Sequence, residues 1–121
     1  MHKSILLSVL LLGACGGDDA ADSSGVATST QIKDLSTDQQ MQECEWGVSY
    51  QGGAGHQTMC GDGVTITVDT VAECVSDLAT YKSSGCTATI GQLETCTKAI
   101  AADPCNFGGD ACAPVFACIG Q

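Results

Sequence analysis

The sequence predicts a small, disulfide-rich, all-α bundle of three longer helices plus one short helix, preceded by a disordered N-terminal tether. Three observations carry that expectation. Eight cysteines fall between Cys44 and Cys118, no two of them separated by fewer than five residues. Starts of the form Ser/Thr-x-x-Glu/Gln precede three apolar-periodic stretches, the capping-box pattern of helix N-termini. Only one run, Val64-Thr65-Ile66-Thr67-Val68, alternates as a strand does, and no second run of that kind stands ready to pair with it. A lone strand leaves its backbone groups unpaired, so an extended connector is expected there rather than a sheet.

Ser36-Thr37-Asp38-Gln39 opens the first helix, and Met41, Cys44 and Val48 follow at helical spacing. This helix is expected to fray around Gly47 to Gly52. If it continues, Trp46 and Tyr50 lie on the side opposite Met41, Cys44 and Val48, as an exposed aromatic pair able to contact a partner. If it ends near Gly47, both rings fold into the core. Gln51 to Gly63 is a glycine-rich loop carrying His56 and Cys60. Thr70-x-x-Glu73 opens the clearest helix, with Val71, Cys74, Val75 and Leu78 on one stripe and Glu73, Ser76, Asp77 and Thr80 facing away. It stops before Ser83-Ser84-Gly85. Thr89-x-x-Gln92 opens the third, with Leu93, Cys96 and Ile100 on one face, and the residue before Pro104 resists helix and ends it. Asn106 to Asp110 is a turn-rich loop. Pro114 suits the first turn of a short last helix in which Cys112, Val115, Phe116 and Ile119 align.

Ahead of this domain, a short basic start leads into an apolar run from Ser4 to Leu12, nine residues long. A membrane span needs about 20 apolar residues. The run ends in Leu12-Gly13-Ala14-Cys15, and the whole segment resembles a bacterial lipoprotein signal in which those four residues are the lipobox. The resemblance implies that residues 1–14 are a signal peptide removed in front of Cys15. It further implies that Cys15 carries acyl chains of the palmitate type and holds the protein in the bacterial cell envelope. Gly16 and Gly17 follow the cysteine, with no aspartate directly after it, which by the same resemblance favours the outer membrane. Residues 15–35 then form the acylated cysteine and a small, polar, acidic tether, unable to bury enough apolar surface to order itself, with a reach of roughly 25 Å. Residues 36–121 form the cysteine-rich helical domain. The layout as a whole is similar to small cysteine-rich lipoproteins of the myxobacterial type, of unassigned function, and that similarity implies no activity.

Lipidation of Cys15 consumes one of nine cysteines and leaves Cys44, Cys60, Cys74, Cys86, Cys96, Cys105, Cys112 and Cys118. An even number in an exported chain indicates a disulfide framework. The gaps between them hold 15, 13, 11, 9, 8, 6 and 5 residues, which exclude a C-x-x-C redox motif and paired zinc-ligand spacing. No metal or cofactor is expected. From Ser36 onward the chain offers two leucines, two phenylalanines and one tryptophan, so its core is modest. Each bridge adds about 2–4 kcal/mol to it. Eight cysteines allow 105 pairings. Geometry gives one preference: the short link Ser83 to Ala88 sets the second and third helices antiparallel, which would bring Cys74 to Cys105 and Cys86 to Cys96. Cys44, Cys60, Cys112 and Cys118 would then tie the first helix and its loop to the C-terminus.

Without Lys3, three lysines face fourteen acidic residues, a net charge of −11, and the chain has no arginine. Such a chain is repelled by nucleic acid and by anionic lipid, so nucleic-acid binding is excluded and membrane contact falls to the acyl chains on Cys15. Catalytic players are few. After cleavage His56 is the one imidazole, and it sits in a loop; there is no G-x-S-x-G and no phosphate-binding glycine loop. Glu43 with Glu45, and Glu73 with Asp77, are expected on solvated helix faces rather than as an acid pair. Asp18, Asp19 and Asp22, or Asp62 with Asp69, lack the regular spacing of a calcium loop. The chain is accordingly expected to be no enzyme but a membrane-anchored surface lipoprotein, a structural or recognition module with an unidentified protein partner. A small disulfide-scaffold effector (inhibitor or toxin-like) and a metal or redox protein are the competing classes.

Overall fold

A computed structural model describes residues 21–119. The expected lipobox and the expected acylation site, Cys15, lie outside the described residues. Four α-helices form among them: α1 (Thr37–Tyr50), α2 (Val71–Ser83), α3 (Ile90–Ala102) and α4 (Ala113–Ile119). All three capping boxes are made. Ser36 Oγ accepts from the Gln39 N–H while Gln39 Oε1 accepts from the Ser36 N–H, and Thr70 with Glu73 and Thr89 with Gln92 repeat the exchange. Each box satisfies donors that a helix start otherwise leaves unpaired, and a capping side chain is worth about 1 kcal/mol. α3 stops at Asp103 ahead of Pro104, as the proline requires. α1 does not fray at Gly47. It runs through to Tyr50, and α3 packs against it at Gly47, where a Cβ would stand in ordinary contact with Thr97 Cγ2, 3.8 Å away.

The run Val64 to Val68 is not an unpaired connector. Its centre, β2 (Thr65–Thr67), pairs antiparallel with β1 (Gln57–Met59), Thr58 standing opposite Ile66. The fold is therefore mostly helical with one small strand pair, not purely all-α. The partner strand is only three residues long, too short to show an alternation of its own. Its turn depends on backbone geometry instead: Asp62 has φ 66° and Gly63 φ 77°, the left-handed region that aspartate and glycine tolerate.

The expected tether also differs. From Ser24 to Leu35 the chain is a strap laid along the domain. Ile32 and Leu35 are wholly buried, and Val26 nearly so. The strap pairs with the link between α2 and α3: Ile32 N donates to Ala88 O at 2.8 Å, Lys33 N to Cys86 O at 2.9 Å, and Ile90 N to Thr30 O at 2.8 Å. The physical reason is supply and demand. A domain with few large side chains leaves core volume that Ile32 and Leu35 fill, and a buried link needs backbone partners. The folded unit thus begins ahead of Ser36.

All eight cysteines are bonded, as Cys44–Cys74, Cys60–Cys105, Cys86–Cys118 and Cys96–Cys112, with Cα separations of 5.7, 5.6, 5.4 and 4.5 Å. The pairs Cys74–Cys105 and Cys86–Cys96 do not form. α2 packs on α1 and on the Ile32–Asp34 turn, while α3 packs on α1, α4 and the Gly109–Cys112 turn. The two helices joined by the short link therefore face other partners, and Cys74 meets Cys44 of α1 first. Cys96 bonds to the turn that leads into α4, and Cys86 to α4 itself. Cys44 and Cys112 are fully buried among Ile32, Leu35, Leu78, Ile90 and Val115, so three of the bridges run through or against the core, while Cys60–Cys105 lies outside it.

Candidate functional site

Helix directions set the site. α1 and α2 run antiparallel: Cys44 bonds Cys74, and Lys82 near the end of α2 donates from Nζ to the Leu35 carbonyl just ahead of α1. α3 runs parallel to α1, since Gly47 meets Thr97 and Glu43 meets Glu94. α2 and α3 thus stand on either side of α1, and a cleft of about 240 Å³ opens between them. α1 contributes Glu43, Gly47 and Val48 to its lining, and Gln51 just past its end adds to them. α2 and the residues before it contribute Asp69, Asp77, Leu78 and Tyr81, and α3 contributes Leu93, Thr97 and Ile100. From α4 come Val115, Phe116 and Ile119. Phe116 and Ile119 are 43 % and 54 % exposed, and their apolar surface stays at the opening rather than in the core.

Two carboxyls are buried side by side in this region. Glu43 is 3 % exposed and Glu94 4 %. Burial pushes the Glu43 carboxyl up to about 8; a hydrogen bond with Ser24 opposes this, while a bond to Glu94 and that residue's charge add to it. For Glu94 burial also acts upward, but hydrogen bonds from the Ser24 N–H and hydroxyl, and from Glu43 and Ser23, outweigh it and hold the carboxyl below its ordinary value. Ser24 N donates to Glu94 Oε2 at 3.0 Å. At neutral pH the pair therefore holds one proton, carried by Glu43 and donated to the Glu94 carboxylate. Glu43 Oε1 is left buried with no hydrogen-bond partner among the described residues.

On the α2 side the lining is anionic and wetter. Asp69 is raised above the usual carboxylate range by partial burial and by the nearby charges of Glu73 and Asp77. Tyr81 is raised by burial and by Asp77 and Asp69. Among the described residues that line the cleft none is a lysine or histidine. The cleft therefore joins an apolar interior to a wall carrying one sign of charge.

The other sequence candidates fall as follows. Trp46 and Tyr50 are brought together, with ring centroids 5.2 Å apart and tilted by 41°, as the helical spacing implies. They do not form an exposed patch. Trp46 is 7 % exposed, and its Nε1 donates to the Ala21 carbonyl, ahead of the strap. His56 is exposed in the loop ahead of β1, outside the cleft. Among the described residues no group of three or more His, Cys, Asp or Glu is placed to hold a metal ion. Glu43 is not on a solvated face, and Glu94 was not singled out from sequence at all. Their placement is legible only once the fold is known. Glu43 stands four residues before Gly47 and Glu94 three before Thr97, so each shares a helix face with the residue at the close α1–α3 contact.

Comparison with protein families, with curated proteins and with solved structures gives no match for this chain.

Proposed function

We propose that this chain is a lipid-anchored surface protein of the bacterial cell envelope whose compact head is a non-enzymatic recognition module. The observation that supports recognition is the cleft: a formed cavity between α2 and α3, its lining tied at Cys44–Cys74 and Cys96–Cys112, offering apolar surface and carboxyls. No nucleophile–imidazole pairing accompanies it, because the sole histidine of the described residues, His56, lies outside the cleft. Occupation of all eight cysteines in disulfides weighs against the metal and redox reading. Anchoring is carried by Leu12-Gly13-Ala14-Cys15, with acyl chains on Cys15 providing the membrane contact and the acidic residues that follow separating head from surface.

The test is metabolic labelling with a fatty-acid analogue followed by membrane fractionation. The wild-type chain is expected to carry label and to sediment with the outer membrane, and Cys15→Ser to lose both properties. Equal labelling of the two chains would overturn the anchoring.

A further inference from the structure

We infer that the cleft between α2 and α3 binds a small organic cation with an apolar body, of the size and chemistry of an alkylamine. The inference rests on the recognition reading above and adds the class of ligand. Size is the first argument. Sites for drug-sized molecules run to about 300–1,000 Å³, and this cavity, at about 240 Å³, suits something smaller.

Polarity is the second. Leu78, Leu93, Ile100 and Val115 give the cavity an apolar lining that rewards burial of a hydrocarbon chain. Phe116, left 43 % exposed at the opening, is an aromatic surface over which a chain or cation can close.

Charge complementarity is the third and decides the sign. Asp69 and Asp77 both line the cleft, close enough that the Asp77 charge, with that of Glu73, adds to burial in raising the proton affinity of Asp69, and among the described residues no lysine or histidine lines the cleft to offset them. An anionic ligand would add to that repulsion, and a neutral one would leave it in place. An ammonium relieves it. The Glu43 carboxyl, 3 % exposed, adds an independent polar feature: among the described residues its Oε1 is a buried acceptor without a donor, in a residue that lines the same cavity. An unpaired buried acceptor is costly, and an N–H donor entering the cleft from the ligand supplies what it lacks.

The experiment is calorimetric titration of the oxidised full-length chain, at low ionic strength and pH 6, with three probes of equal length: hexylamine, hexanol and hexanoate. Amide chemical shifts are recorded in parallel. Hexylamine is expected to bind saturably, one per chain, about tenfold more tightly than hexanol, with hexanoate weakest. The shifts should map to Asp77, Tyr81, Leu93 and Val115. Asp77 is exposed on its helix, so Asp77→Asn leaves the fold intact and should weaken hexylamine roughly fivefold while leaving hexanol unchanged, the effect of one partly solvated charge. Hexanol or hexanoate binding as tightly as the amine, insensitivity to Asp77→Asn, shifts confined to another surface, or no saturable binding would each overturn the inference. The last two outcomes would also remove the cleft as a recognition site. The first two would remove only the ligand class. Acylation of Cys15 is read out separately and stands or falls by itself.

Discussion

In the folded chain Glu43 keeps its proton up to about pH 8, whereas an unfolded glutamate releases its own near 4.5. Between those values the native state binds more protons than the unfolded state, so stability falls as pH rises through that window. Glu94, held below its ordinary value, works in the opposite sense and loses its contribution as pH falls below the usual carboxylate range. The melting temperature is therefore expected to decline from about pH 5 to pH 8. Glu43→Gln preserves shape and removes the titration, so in thermal melts it should raise the melting point at pH 8 relative to wild type and change it little at pH 5. Parallel pH profiles for the two chains would contradict the assignment. The residues that the sequence revealed best were those with local meaning, the cysteines and capping pairs. Glu43 escaped because its partners, Ser24 and Glu94, are distant in sequence, and a carboxylate on a helix is ordinarily solvated.

At the level of elements, all three long helices were legible because their start signals lie within four residues of one another and need no tertiary context. The β1–β2 pair was not, since three-residue strands carry almost no periodic signal and are held by a turn and by Cys60–Cys105. The turn after α3 shows the same dependence on backbone geometry. Phe107, Gly108 and Gly109 have φ of 53°, 78° and 55° in succession, and a Cβ on Gly108 would run into Cys112 Sγ and stand 3.2 Å from Ile100 Cγ1. Gly108→Ala is expected to combine left-handed strain of about 1–2 kcal/mol with overpacking of about 1–3 kcal/mol. It should lower the melting temperature clearly, whereas Gly53→Ala, also at positive φ but facing open space, should cost only the strain. Equal losses for both would show that the Cys112 contact plays no part.

For the whole molecule, composition foretold a disulfide-dependent domain but not where it begins or how it is stapled. The strap from Ser24 to Leu35 looked like tether because its apolar residues are few and widely spaced. Ile32 and Leu35 nevertheless complete the core, and their backbone partners come from the link between α2 and α3. The short link does not make a closed helical hairpin, because α2 and α3 each pack on α1, and the cleft opens between them. The disulfide map therefore tests the account most directly. Peptide mapping of the unreduced protein should recover Cys44–Cys74, Cys60–Cys105, Cys86–Cys118 and Cys96–Cys112 with no free thiol. Recovery of Cys74 joined to Cys105 would close α2 against α3, abolish the cleft and contradict the account.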